Sequence, residues 1–329
     1  MPNIVILATG GTIAGTAGSS ESTVRYAPAV VGIDALIKAL PELEGIANVT
    51  CEQVAQIASE DINDEIWLML AKRANELVAA PWVDGLVITS GTDTMEETAY
   101  FLNLVVKSGK PVVLTGAMRP LTAISADGKL NLYNSVVLAG SESARGMGVL
   151  VAMNETIYSA RDVIKSSTFL SDAFRSPELG ALGYIQSKEA LFYKQPLRRH
   201  TAESRFDITG LNELPRVDIA YGYANASRVI IDALTDSGVH GIVYAGVGNG
   251  SITAEVREGL ISARKKGVIV VRSTRVGNGI VARNAAADDD GLDFVAADTL
   301  NPQKSRVLLM LALTQTNDTT EIQQIFFDY

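Results

Sequence analysis

The residues best suited to chemistry in this chain open with the stretch ILATGGTIAG, Ile6 to Gly15, an apolar run that ends in two glycines and a threonine. A glycine-rich turn after a strand first suggests nucleotide phosphates, and it fails both templates. The dinucleotide fingerprint needs glycine where Thr12 stands, and the phosphate loop needs Lys-Ser/Thr where the chain has Thr16-Ala17. A later turn, AGVGNGS at Ala245 to Ser251, places Ser251 at the third glycine position and misses the fingerprint too. A hydroxyl nucleophile fits better. Glycines at 10 and 11 permit positive φ and close approach to a ligand, so Thr12 can face a crevice with backbone N–H groups nearby to meet an oxyanion. Removing one such donor typically costs about 10² to 10³ in rate. Three further clusters carry matching chemistry: Ser59-Glu60-Asp61, Ser90-Gly91-Thr92-Asp93 and Gly116-Ala117-Met118-Arg119. Each alone reads as turn and helix-cap chemistry.

A threonine hydroxyl needs a proton acceptor. The only histidines, His200 and His240, lie outside the clusters, so a Ser-His-Asp relay does not fit. Asp93, Tyr26 and Lys165 remain as partners. A desolvated lysine can be tuned toward a pKa of ~7 to 8 and shuttle protons. By spacing alone, Lys165 reads as a solvated surface charge.

The elements that must position these residues follow from periodicity. β-branched runs at Ile4 to Ala8, Val49 to Ala58, Gly85 to Thr89, Pro111 to Thr115 and Gly148 to Ala152 alternate with helical spacing at Gly32 to Leu40, Asn63 to Ala79, Thr94 to Val106 and Asn131 to Ala139. That pattern predicts an α/β fold with a mostly parallel sheet, right-handedly connected. Each polar cluster follows the carboxyl end of a predicted strand, and in a parallel sheet those ends share one edge, where ligands bind. A second series has strands at Val217 to Tyr221, Gly241 to Tyr244 and Val268 to Val271, with helices near Ser227 to Asp236 and Thr253 to Lys266. It predicts a smaller C-terminal α/β domain. The polar stretch Gln195 to Arg216, bracketed by prolines, reads as the linker between domains at 1–194 and 217–329.

Composition excludes several classes. With 329 residues, a 47% hydrophobic fraction and 28 glycines, the chain fits a large domain plus a smaller one, well packed and with many tight turns. A net charge of −9 disfavours nucleic acid and anionic membrane as partners. No apolar run approaches the ~20 residues that span a bilayer, and Met1-Pro2-Asn3 does not open a signal peptide, so the chain as given reads as soluble. Cys51 is the only cysteine, which excludes an intrachain disulfide and, with two histidines, argues against a zinc site.

The stretches ILATGGTIAG, SGTDTMEETAYFLNL, TGAMRP, SADGKLNLYNSV, GVLVAMNETIYSARDVIK, AGVGNGS and LNPQKSRVLLMLALTQT together resemble the bacterial type II L-asparaginases, of the asparaginase and glutaminase-asparaginase family. The resemblance runs end to end. It implies a flavodoxin-like N-terminal domain with a mobile lid at about residues 13–31, and a homotetramer whose sites use the neighbour's C-terminal domain. It implies L-asparagine as substrate, L-glutamine as a slower one, and no metal or organic cofactor. Carried over position by position, Thr12 matches the nucleophile, with Tyr26 activating it. Thr92, Asp93 and Lys165 match the second catalytic group, Asp93 also holding the substrate's amino group. Gly11, Ser59, Glu60, Ala117 and Ser251 match substrate-binding positions. The resemblance to exported relatives implies a periplasmic or secreted place, with a cytoplasmic one left open. Four departures stand out: Glu60 where some relatives carry glutamine, Ser251 where several carry asparagine, Ala286 where relatives reach the adjoining site with a glutamate, and Ser90 where they read histidine. Asp288, Asp289 and Asp290 offer carboxylates that could replace the one lost at Ala286, against the plainer reading of a solvated acidic loop. Two other functional classes stay open at this point, a non-catalytic amino acid-binding protein and a nucleotide-dependent oxidoreductase using Gly246 to Ser251. An amidotransferase subunit acting on tRNA would share the threonine motif, but the acidic balance argues against it.

Overall fold

The computed structural model describes residues 1–21 and 26–329, in two compact units, Met1–Asn212 and Glu213–Tyr329. In the first, the β-branched runs become parallel strands β1 (Asn3–Gly10), β2 (Asn48–Ile57), β3 (Gly85–Thr89), β4 (Val112–Thr115) and β5 (Val149–Met153), in the order β2-β1-β3-β4-β5. Every residue of β3, β4 and β5 is buried, as continuous apolar runs covered on both faces should be. The sheet then continues in antiparallel strands absent from the periodicity reading. β6 (Thr156–Ser159) pairs with β5, the short ribbon of β7 (Ile164–Lys165) and β8 (Phe174–Arg175) intervenes, and β9 (Gly183–Gln186) and β10 (Glu189–Phe192) complete an 8-stranded sheet.

Helices α1 (Ile33–Lys38), α2 (Asp64–Ala79), α3 (Met95–Val105) and α4 (Gly128–Ala139) connect the parallel strands. Asn63 caps α2 by accepting from the Ile66 N–H at 3.0 Å, which satisfies one of the helix's orphan donors. α2 then locks α3 in place. The Trp67 and Phe101 rings stack at 5.1 Å, and Trp67 Nε1 donates to Thr98 Oγ1 at 2.9 Å. The start of α3, directly after the Thr92-Asp93 turn, is thereby fixed.

Composition misled on the stretch 195–212. It belongs to the first unit, where Thr201, Ser204, Phe206 and Ile208 are buried. Ser204 Oγ donates to the Leu104 carbonyl, and Lys72 Nζ donates to the Leu211 carbonyl at 2.6 Å. A few buried side chains spaced among polar ones suffice to hold such a segment, and they leave no periodic signal.

In the second unit β11 (Val217–Tyr221), β12 (Gly241–Gly246), β13 (Ile269–Thr274) and β14 (Val295–Ala296) form a parallel sheet in sequence order. It is accompanied by α5 (Val229–Asp236), α6 (Ala254–Lys265), α7 (Asp289–Leu292), α8 (Pro302–Ala312) and α9 (Thr319–Asp328). Ile231, Ile242, Tyr244, Val256, Leu260 and Phe294 share its core. Among the described residues no helix is long and apolar enough to cross a membrane.

Candidate active site

The strand order places a topological switch point between β1 and β3: the crossover from β1 leads to β2 on one side, and the next, from β2, returns past β1 to β3 on the other. Open α/β sheets of this order bind ligands in the crevice outside the carboxyl ends there. The Thr12 turn follows β1 and the Thr92 turn follows β3. Glycine lets the turns meet. Gly10 and Gly11 have φ of 106° and 81°, in the left-handed region. A Cβ on Gly11 would stand 2.3 Å from Gly91 Cα, and one on Gly91 would stand 2.6 Å from Ser59 Cβ. A Cβ on Gly116 would reach the Ser90 carbonyl oxygen at 2.6 Å and Thr92 Cγ2 at 3.2 Å. Turns after β1, β2, β3 and β4 therefore touch backbone to backbone, and the four clusters form one locus.

Two hydroxyls within it each have a partner able to exchange a proton. Thr12 Oγ1 lies 2.7 Å from Tyr26 OH, and Lys165 Nζ donates to Thr92 Oγ1 at 2.8 Å while also pairing with Asp93 Oδ1. Thr12 and Thr92 are buried, at 6% and 4% exposed, whereas the Asp93 side chain is 61% exposed. The hydroxyls are thus shielded while a carboxylate faces open space beside them. Among the described residues, the backbone N–H groups of Thr12 and Thr92 find no acceptor. Lys165 is no solvated surface charge: its side chain is 14% exposed and spends its ammonium on the site. The spacing misled because its partners lie more than seventy residues away in the chain.

Tyr26 reaches Thr12 through a loop whose ends are zipped. Thr16 and Ala27 exchange N–H···O bonds of 3.0 and 2.9 Å, and the Gly15 carbonyl accepts from Leu121 N at 3.0 Å. Residues 22–25 of the predicted lid lie outside the described residues. Ser59 accepts from the Asp93 N–H at 3.3 Å through Oγ and from Thr94 Oγ1 at 2.8 Å through its carbonyl, tying the β2 turn to the β3 turn. Glu60 beside it is exposed, and Ala117 is fully buried. Ser90, also buried, donates its N–H to the Thr115 carbonyl at 2.9 Å. Ser251 belongs to the second unit, where it closes a bridge with Val247, and is not among the residues the first unit gathers.

The acidic run near Ala286 is committed elsewhere. Asp289 and Arg272 are both fully buried and joined bidentately at 2.8 and 2.6 Å, with Arg272 also donating to the Asn249 and Ala282 carbonyls. Hydrogen bonds from Asn284 and Arg283 hold the Asp290 carboxyl below the usual carboxylate range. Asp288 caps α7 through the Gly291 N–H at 3.0 Å. None of the three is left spare, and the run is no merely solvated loop, since Asp289 is buried.

The sequence reading missed three residues. Glu96, buried in the first turn of α3, accepts the Lys165 backbone N–H at 2.7 Å. Asp127 accepts from Met118 N and Arg119 N at 2.9 and 3.0 Å, and Asn131 Nδ2 donates to the Gly116 carbonyl at 3.1 Å, together fixing the turn after β4. Carboxylates and amides at helix starts are common for capping alone, so no local signal separated them. Among the described residues no group of His, Cys, Asp and Glu is arranged to hold a metal ion.

Comparison with known proteins decides the family. The profile described as asparaginase, N-terminal matches residues 3–198, and that of the glutaminase/asparaginase C-terminal domain matches residues 216–326. The chain belongs to the asparaginase family. Among curated relatives, L-asparaginase 2 of Bacillus subtilis (strain 168) is 53% identical across all of this chain and 87% of its own length. The glutaminase-asparaginase of Pseudomonas fluorescens biotype A is 52% identical across all of this chain and 91% of its own. A crystal structure of a probable cytoplasmic L-asparaginase from Campylobacter jejuni superposes with a TM-score of 0.97 at 51% identity, covering the whole of both chains. As a member of the asparaginase family this protein is an amidohydrolase, and neither the binding-protein nor the oxidoreductase alternative finds support.

Proposed function

We propose that the chain hydrolyses the side-chain amide of L-asparagine, and more slowly that of L-glutamine, with Thr12 as nucleophile. The observation that carries this reading is the pairing of two buried hydroxyls with two proton carriers, Thr12 with Tyr26 and Thr92 with Lys165, on turns in backbone contact. Relatives named both L-asparaginase and glutaminase-asparaginase support the two substrates.

In the first half-reaction Thr12 Oγ bonds to the amide carbon and the developing oxyanion meets backbone N–H groups such as those of Thr12 and Thr92. The C–N bond then breaks, the threonine's proton travels by way of Tyr26 to the departing nitrogen, and ammonia leaves. An acyl-threonine ester remains. Water attacks the ester carbon, Lys165 and Thr92 handle its proton, and the ester C–O bond breaks to give aspartate and restore the Thr12 hydroxyl. Asp93, exposed at the edge of the site, pairs with the substrate's ammonium, with Ser59, Glu60, Gly11 and Ala117 lining the rest. A homotetramer whose neighbouring C-terminal domain brings Ser251 to the site completes the reading, tested by sedimentation velocity. A periplasmic or secreted place is supported by a relative from Haemophilus influenzae named probable L-asparaginase periplasmic. The neighbour from Campylobacter jejuni is named cytoplasmic, and fractionation of the source cells decides between them.

Ammonia release from saturating L-asparagine should vanish in Thr12→Val while circular dichroism stays unchanged. Turnover near wild type in that variant refutes the assignment.

A further inference from the structure

Lys165 must deliver its ammonium to Thr92 and Asp93 from the end of a four-carbon side chain, and its backbone sits in β7, a strand of two residues paired only with β8. So short a ribbon fixes a Cα poorly by itself. The tie comes from the other side. Glu96 Oε2 accepts the Lys165 N–H at 2.7 Å, and Glu96 is only 8% exposed in the first turn of α3. Because Thr92 and Asp93 are separated from α3 only by Thr94, one short segment grips both ends of the lysine, its backbone through Glu96 and its ammonium through Thr92 and Asp93. α3 is itself rigid, buried at nearly every position and stacked on α2 through Phe101 and Trp67.

We infer that Glu96 is a positioning residue that sets Lys165 within reach of Thr92. The inference rests on the proposed role of Lys165 in water attack. It differs from a role in helix stability, which a carboxylate in a first helical turn would also serve. Positioning predicts that the hydrogen-bond acceptor matters more than the charge, and that the effect passes entirely through Lys165.

Steady-state ammonia release from L-asparagine is measured in the full-length wild type, Glu96→Ala, Glu96→Gln, Lys165→Met and the double variant Glu96→Ala/Lys165→Met, each with its melting temperature. Glu96→Ala is expected to lower kcat about 10²-fold, the cost of a displacement near 1 Å in a catalytic group, with a much smaller change in KM. Glu96→Gln keeps an acceptor at the same reach and should recover most of that loss. The double variant should be no slower than Lys165→Met. Glu96→Gln as slow as Glu96→Ala, or a double variant slower than Lys165→Met by the full Glu96→Ala factor, overturns the inference. A Glu96→Ala protein that melts early but turns over normally when folded also overturns it. If Glu96→Ala does not fold, Glu96→Asp, which keeps the charge and shortens the reach by one methylene, is expected to show the same selective loss of kcat, and wild-type kcat there overturns the inference. Lys165→Met at wild-type rate removes the role of Lys165 itself, whereas a slow Lys165→Met beside a wild-type Glu96→Ala removes only the role of Glu96.

Discussion

A threonine hydroxyl is a weak nucleophile until a neighbour accepts its proton, and a thiol is intrinsically far better. Yet the nucleophile proposed here is Thr12, hydrogen-bonded to Tyr26, while Cys51 on β2 has its chemistry suppressed. Burial, with the hydrogen bond and negative charge of Asp34 adding to it, pushes the Cys51 thiol up to about 11. At pH 8 about one thiol in 10³ is then ionised, and the thiolate is the reacting species. Labelling of the native protein with an aromatic disulfide reagent at pH 8 should therefore run at least about tenfold slower than labelling of free cysteine. Asp34→Asn should speed it, because Sγ loses a charged partner 3.1 Å away. Labelling that is fast in the wild type, or indifferent to Asp34→Asn, contradicts this account. Cys51→Ser should leave asparagine turnover unchanged, since Cys51 lies among the middle residues of β2 and not in the turn that carries Ser59.

At the scale of the elements, the site depends on turns that must touch backbone to backbone. Gly11 sits at φ 81° with no room for a Cβ against Gly91, so Gly11→Ala combines left-handed strain with a main-chain collision. A loss of about 1–3 kcal/mol in unfolding free energy is expected from such strain and overpacking, together with a fall in turnover as the Thr12 and Thr92 turns separate. Gly18→Ala is the control. Among the described residues nothing stands within 4 Å of a Cβ at Gly18, and the change should stay within about 0.5 kcal/mol in urea unfolding. Equal effects in the two variants would mean that the close approach of the turns carries no weight. These glycines also show why much of the fold was legible in the sequence. β1, β3 and β4 are apolar runs ended by glycine or hydroxyl residues, β2 and β5 register through their β-branched residues, and the α/β alternation follows from them. β6, β9 and β10 were not legible because their turns, Asn154-Glu155 and Ser187-Lys188, take positive φ without glycine, and strands of four residues hold too few alternations to register. In the site, the Thr12 and Thr92 turns could be read from local pattern. The attachment of Lys165 to them could be placed only by resemblance, and that of Glu96 not at all, since both depend on contacts across roughly seventy residues of chain.

For the molecule as a whole, the response to acid follows from which groups bind protons differently on unfolding. Burial lowers the pKa of His200 below its ordinary 6.5, in a place where its Nδ1 lies 2.9 Å from Thr201 Oγ1 and its ring packs near Gly148. The folded state therefore binds fewer protons at this ring than the unfolded chain does. Its contribution to stability is complete above the unfolded value of about 6.5 and is lost as pH falls through the lower, folded value. A second window opens at lower pH. Glu52, held below its usual range by Arg73, and Asp207, Asp232 and Asp318, held down by hydrogen bonds from Thr209, Arg228 and the start of α9, lose their stabilising partners only when the carboxylates protonate. Urea midpoints should therefore fall in two stages as the pH is lowered from 7.5, first near and just below 6.5 and again below about 4.5. His200→Gln, which supplies a neutral polar group for Thr201, should flatten the first stage and leave the second in place. A first stage of unchanged depth in His200→Gln would assign it to another group, and a midpoint that rises as the pH drops below 6.5 would reverse the sign on which the argument depends.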